Sequence, residues 1–199
     1  MKINTQELVG FFVLAVFTIG NSACSEETAM PKPMGYPRIE VPTGDSVRLD
    51  EIPGSDSNMA YHFFVNQTAR WEPGKEDGWG DLVYPWCQGR IQLTYKPIRN
   101  NLDTLVNDAH EFVDKHTVVA MGIDAKEFYS PETGVYGRLF RLEGNVASPV
   151  QFFLTDSVSH YLYGAAYIWA EPNADSLAPV NTFLQKEVER FFRTIHWHR

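Results

Sequence analysis

The sequence predicts an α+β fold, an antiparallel sheet covered by two amphipathic helices, on three observations. Short segments of alternating apolar and polar residues recur along the chain, and consecutive strands joined by tight turns pair antiparallel. Two stretches instead repeat apolar residues every three or four positions, the spacing of a helix face. Hydrophobic residues make up 44% of the 199 and charged residues 21%, so a packed core is attainable; aromatics at 14% suit a sheet-based core.

The chain opens with Lys2 and an apolar run over 8–20. The run is shorter than the roughly 20 residues of a membrane-spanning helix and ends in small residues, which fits a secretory signal. Asn21-Ser22-Ala23-Cys24 follows directly. Small residues before a cysteine at the end of an apolar run are what a bacterial lipoprotein signal requires. Residues 1–23 are therefore expected to be a signal peptide. The Cys24 thiol is expected to carry a diacylglycerol thioether, and its freed amine a further acyl chain of the palmitate class. Ser25-Glu26-Glu27 resembles, weakly, an acidic surface-export signal. Residues 24–35, polar and holding Pro31 and Pro33, read as an extended lipidated tether. Removing Lys2 and Glu7 with the signal leaves the net charge at −8. The acyl chains must then carry the attachment without a basic patch beside them.

Residues 36–199 read as a single α+β domain. A proline-flanked edge strand is expected at 36–41 and a polar, turn-rich stretch at 44–58. Tyr61 to Val65 reads as a strand. Residues 66–89 read as a long irregular stretch, rich in glycine and proline. Residues 90–95 alternate cleanly as a half-buried strand. Asn100 or Asn101 is expected to cap a helix whose stripe is Leu102, Leu105, Val106, Ala109, Phe112 and Val113. Strands are expected within 118–129 and at 135–142, 149–155 and 161–170. The last has Tyr161, Tyr163, Tyr167 and Trp169 on one face and Leu162, Ala166 and Ile168 on the other, so it is expected to be central and covered on both sides. Asp175 or Ser176 is expected to cap the final helix, with Pro179 in its first turn and a stripe running from Leu177 to Ile195. By analogy of arrangement the fold is similar to the sandwich of the PsbP and Mog-one proteins, which carries no function.

Several pieces of the chain are more specific. They are Pro31-Lys32-Pro33-Met34-Gly35-Tyr36-Pro37-Arg38-Ile39, Thr94-Tyr95-Lys96-Pro97, Lys115-His116-Thr117, and a dense block from Val135 through Gly144-Asn145-Val146-Ala147-Ser148-Pro149-Val150-Gln151-Phe152-Phe153-Leu154-Thr155-Asp156-Ser157 to Ala165, extended by 172–180. In these the chain resembles the gliding-motility lipoprotein GldD family of the Bacteroidetes, over essentially the mature length. Members often carry a cysteine before the tryptophan corresponding to Trp79, where this chain has Gly78, so a thiol role at that place does not carry over. The resemblance implies a lipid-anchored envelope component needed for gliding and linked to the type IX secretion machinery; the domain is expected to face the periplasm rather than the cell surface. It implies no catalytic residue and no cofactor.

The residues themselves add exclusions. A net charge of −8 lacks the basic footprint for nucleic acid. Two cysteines make neither a disulfide framework nor a four-thiolate zinc site. Ser148, Ser157, Ser159 and His160 do not form a nucleophile elbow; Ser157 and His160 are expected to shape a turn. Cys87, beside Trp86, reads as a buried hydrophobe. His196 and His198 flank Trp197 near the end of the chain and are expected to be exposed rather than to bind metal. His110 and His116 are expected on different faces of the first helix. Asp45-Ser46-Val47 fits a short O-glycosylation pattern that recurs at Asp103, Asp156 and Asp175. Trp71, Trp79 and Trp86 form the candidate binding surface, the alternative being that they pack inward; the Gly144 to Ser157 turn-and-strand block is the other candidate, by the resemblance, with Phe152 and Leu154 in it reading as core. The expected function is non-enzymatic: protein–protein contacts in the envelope. The rival reading is a module that binds a small ligand or glycan through the aromatic 66–89 stretch.

Overall fold

The computed structural model describes residues 39–198, except 43, 56–58, 117 and 172. The expected signal peptide, Cys24, the tether and residues 36–38 of the expected first strand lie outside the described residues; 39–41 form no strand.

Seven strands form one antiparallel sheet: β4 (Arg70–Pro73), β5 (Gly80–Tyr84), β6 (Gly89–Pro97), β7 (Gly122–Ser130), β8 (Val135–Glu143), β9 (Val150–Thr155) and β10 (His160–Ile168). Their order across the sheet is β4-β5-β6-β10-β9-β8-β7. Two helices cover it, α1 (Leu102–Asp114) and α2 (Ala174–Thr194). Short strands β1 (Ser46–Arg48) with β3 (Phe64–Asn66), and β2 (Tyr61–His62) with β11 (His196–Trp197), form two further antiparallel pairs. The fold is α+β, as the periodicities predict.

The helices lie on opposite faces, and strand parity shows why. Every residue of β9 is buried, although its side chains alternate in direction. Phe152 and Leu154 join the larger core with Val180, Leu184, Val188 and Phe191 of α2. Phe153 joins Leu105, Ala109 and Val113 of α1 in the smaller one. β10 repeats the pattern: Leu162 and Ala166 face α2, Tyr161 faces α1. It is the middle strand of the seven, which explains apolar or aromatic residues on both of its faces.

Some elements differ from the sequence reading. β1 falls inside the stretch expected to be turn, because three residues paired to β3 are too short to show a period. The strand expected at 61–65 divides into β2 and β3, with Phe63 between them. The supposedly irregular 66–89 stretch contains the β4–β5 hairpin at one edge of the sheet. Its glycines and prolines are compatible with that place. Pro73 ends the edge strand β4, where no ladder donor is needed. The Trp71 ring covers Gly80, leaving no room for a Cβ. α2 begins earlier than expected. Asn173 caps it, its Oδ1 accepting from the Ser176 N–H at 3.1 Å, and Asn145 Oδ1 accepts from the Ala174 N–H at 2.9 Å. Pro179 therefore sits in the second turn, at an exposed position, rather than in the first. His116 lies just past the end of α1, not on it.

Candidate functional site

α1 spans only part of its face of the sheet. It packs on β9 and β10 through Leu105, Ala109 and Val113, and the buried Tyr161 hydroxyl donates to the Leu105 carbonyl at 2.8 Å. No helix of the described residues lies over the same face of β5 and β6. The step between helix and open sheet is a groove of about 390 Å³. Its floor holds Gln92 and Thr94 of β6, Gln151 of β9, and Tyr163 and Tyr167 of β10; one wall is Asp108, Phe112 and Lys115 of the α1 segment. Beyond Gln92 and Tyr167 it continues into a recess of about 720 Å³ beside Trp169. There Arg90 is paired with both Asp81 and Glu72.

Of the three tryptophans predicted to form a surface, the structure brings only Trp79 to the groove. Its indole N–H donates to the Tyr95 carbonyl at 2.6 Å, which fixes the ring. Trp71 is 4% exposed and faces the larger core, over Gly80. Trp86 packs edge-on to Phe183, ring centroids 4.9 Å apart, on that same core. These two follow the inward alternative.

Gln151 lies in the 144–157 block, the second candidate surface, but the sequence reading does not single it out there. It is 1% exposed, and its Oε1 accepts from the Tyr163 hydroxyl at 2.7 Å. One polar residue inside the apolar run Val150-Gln151-Phe152-Phe153-Leu154 was the available signal. The groove tyrosines are held as neutral donors. Burial, first of all, pushes the Tyr161 and Tyr163 hydroxyls well above their ordinary value, and Tyr167 moves the same way.

The residues weighed for chemistry have other work. Asp156 Oδ1 accepts from the backbone N–H groups of Val158, Ser159 and His160, closing the β9–β10 turn in which Ser157 has φ of 63°. His160 meets the Tyr95 hydroxyl at 2.9 Å and stacks on Trp197. Burial pushes the Cys87 thiol up to about 11, which keeps it protonated and unreactive at neutral pH.

His196 and His198 are not a loose tail. His196 opens β11, which pairs with β2, and His198 follows it; both meet His62: His198 Nε2 lies 2.7 Å from His62 Nδ1, and the His196 ring stacks on His62 at 5.2 Å. Among the described residues no group of three or more His, Cys, Asp or Glu side chains is placed to hold a metal ion. His62 is held below the ordinary histidine value, first by burial, then by Arg48, His198 and His196, with Asp50 opposing. The folded state thus binds this proton less readily than the unfolded chain does. Its contribution to stability is complete above the ordinary value and is lost as pH falls toward the lowered one. Thermal melts at pH 7.5 and about 5.5 should show a loss of stability on acidification that His62→Gln makes shallower; an equal loss in the variant would remove His62 as a cause.

Comparison with known families settles the affiliation. The family model described as "Gliding motility lipoprotein GldD" matches residues 26–197. The chain belongs to the GldD family. No curated protein and no solved structure matches it. Membership makes this GldD-family chain a membrane-anchored envelope lipoprotein with a role in gliding motility; the family is one of motility lipoproteins, not a known enzyme family. The block that carries the resemblance most densely is largely architectural in this GldD-family domain. Asn145 holds the start of α2, 150–155 is the buried β9, and Asp156 closes the turn. From that block Gln151, Tyr161 and Tyr163 line the groove.

Proposed function

We propose that this GldD-family protein is held at a membrane leaflet, facing the periplasm, by acyl chains on Cys24. Its 36–199 domain works without catalysis, binding other envelope proteins of the gliding apparatus and the associated type IX secretion machinery. Tethering confines the domain to one surface and raises its effective concentration for partners there, so modest contacts suffice.

One observation carries the protein-contact reading, the contrast between the two edges of the sheet. β4 is four residues long, ends in Pro73, and its Trp71 N–H is already given to the Pro53 carbonyl at 3.0 Å. β7, at the other edge, has nine residues and pairs only with β8 among the described residues. Beside its start stand Val118 and Met121, 89% and 88% exposed, with Val119 and Ile123 also open to solvent. An apolar cluster next to a long open edge is what a partner strand or surface would cover.

Photocrosslinking in intact cells, with the reactive side chain at Met121, should yield adducts with gliding or secretion proteins of the envelope. The same group at Lys186, on the exposed side of α2, should yield none of them. A Met121 probe that gives no adduct would defeat the reading.

A further inference from the structure

We infer that the groove beside α1 binds an acidic oligosaccharide. This goes beyond the tethering role and does not depend on which proteins the β7 edge meets.

The first ground is Gln151. Its side chain is buried at the groove floor, and Tyr163 occupies its Oε1. Its amide N–H₂ is not among the enclosed, partnerless polar atoms of the described residues and meets whatever fills the groove. A donor at a groove floor is a place for a ligand oxygen.

Charge is the second ground. In a chain of net charge −8, Lys96 and Lys115 both line the groove, and neither is ion-paired among the described residues. The Lys115 ammonium lies 5.1 Å from the centre of the Phe112 ring, and His116 is beside it. Among the described residues Asp108 is the one carboxylate lining the groove itself, suited to accept from a hydroxyl, while Asp81, Glu171 and Arg90 line the recess beyond. The anionic group is therefore assigned to the Lys96 and Lys115 end, with hydroxyls toward the recess.

The third ground is the shape and the rings. Trp79, Tyr167 and Phe112 offer aromatic surface in the same groove as these polar groups. The C–H face of a sugar ring packs on such surface while its hydroxyls reach the amides and charges around it. An extended peptide fits less well. The floor is the face of paired strands, β6 with β10 and β10 with β9, so it has no free backbone ladder to offer. An acyl chain would match Leu105, Ala109 and Phe112 but would leave Gln92, Thr94, Gln151 and Lys96 without partners. The groove volume and its continuation past Tyr167 accommodate several sugar units rather than one.

The test is an amide NMR titration of the purified full-length protein in detergent, with tetragalacturonate as probe and cellotetraose and tetraglutamate as comparators. Tetragalacturonate should produce saturable shifts of the Gln151 side-chain N–H₂ and the Trp79 indole N–H. Lys96→Gln with Lys115→Gln, two changes at the groove rim, should weaken that binding about tenfold or more. Both comparators should bind more weakly than the acidic sugar. The inference fails if tetragalacturonate leaves Gln151 unmoved at millimolar concentration, if tetraglutamate or cellotetraose binds as well, or if the double lysine variant binds as tightly as the parent.

Discussion

Cys24→Ala is expected to release the protein from the membrane fraction and to abolish gliding, with the 36–199 domain still folded. The acyl chains are the proposed attachment, and each buried methylene contributes about 0.8 kcal/mol, so removing all of them removes the binding. The residues next to Cys24 are Ser25, Glu26 and Glu27, which cannot grip an anionic lipid surface in the absence of the chains. Loss of tethering lowers the effective concentration at partners by a factor on the order of 10²–10⁴. The change is expected to leave the fold intact, since both cores of the described residues are assembled from 39–197. Fractionation, a thermal melt and spreading on agar check the three parts. A soluble variant that glides normally would refute the tethering mechanism, and one that no longer melts cooperatively would mean that the N-terminal region supports the fold.

How legible these features were in the sequence depends on whether a pattern is local. β10 could be read as central because aromatic and aliphatic residues alternate over nine positions, and α1 because its stripe repeats over three turns. The β4–β5 hairpin was hidden because its logic is a cross-strand fit, the Trp71 ring over Gly80, which sequence order does not display. The same difficulty applied to the three tryptophans. Without a recognised strand around them, nothing indicated that Trp71 faces one side of the sheet and Trp79 the other. α2 was read with the wrong start because Asp175 and Ser176 are good capping residues too, and only the position of Asn145 on a distant loop favours Asn173. The groove could not be read at all: it is the space left where α1 stops short of β5, a consequence of packing. Its most informative residue, Gln151, and the buried Glu187 were both visible as polar residues at apolar positions, the anomaly that deserves a search for a partner.

Glu187→Ala is expected to be the most damaging single substitution in the larger core. Glu187 occupies a core position of the α2 stripe between Leu184 and Phe191 and is 1% exposed. Its Oε2 accepts from the Asn66 backbone N–H at 2.8 Å and from the Tyr84 hydroxyl at 3.0 Å, and its Oε1 pairs with Arg190 at 2.6 Å. It therefore ties α2 to β3 and β5 at once. Alanine would strand a buried N–H and a buried hydroxyl and leave Arg190 without its anion, at a cost of about 3–5 kcal/mol. Glu187→Gln keeps the volume and one acceptor oxygen and should cost less. The pair also has a pH signature. Burial, the largest influence, raises the Glu187 carboxyl above its ordinary value, against the opposing pull of the Asn66 N–H, Arg190 and Tyr84. The folded state therefore holds this proton more tightly than the unfolded chain. The contribution from its protonation is fully present below the ordinary glutamate value and is lost as pH rises through the elevated one. Urea unfolding of the parent and Glu187→Gln at pH 7 and near 5 should show the parent's advantage growing as the pH falls, since glutamine has no proton to gain. An advantage that shrinks on acidification would mean that Glu187 is stabilised as a charge, by Arg190 above all, and that burial is not what governs it.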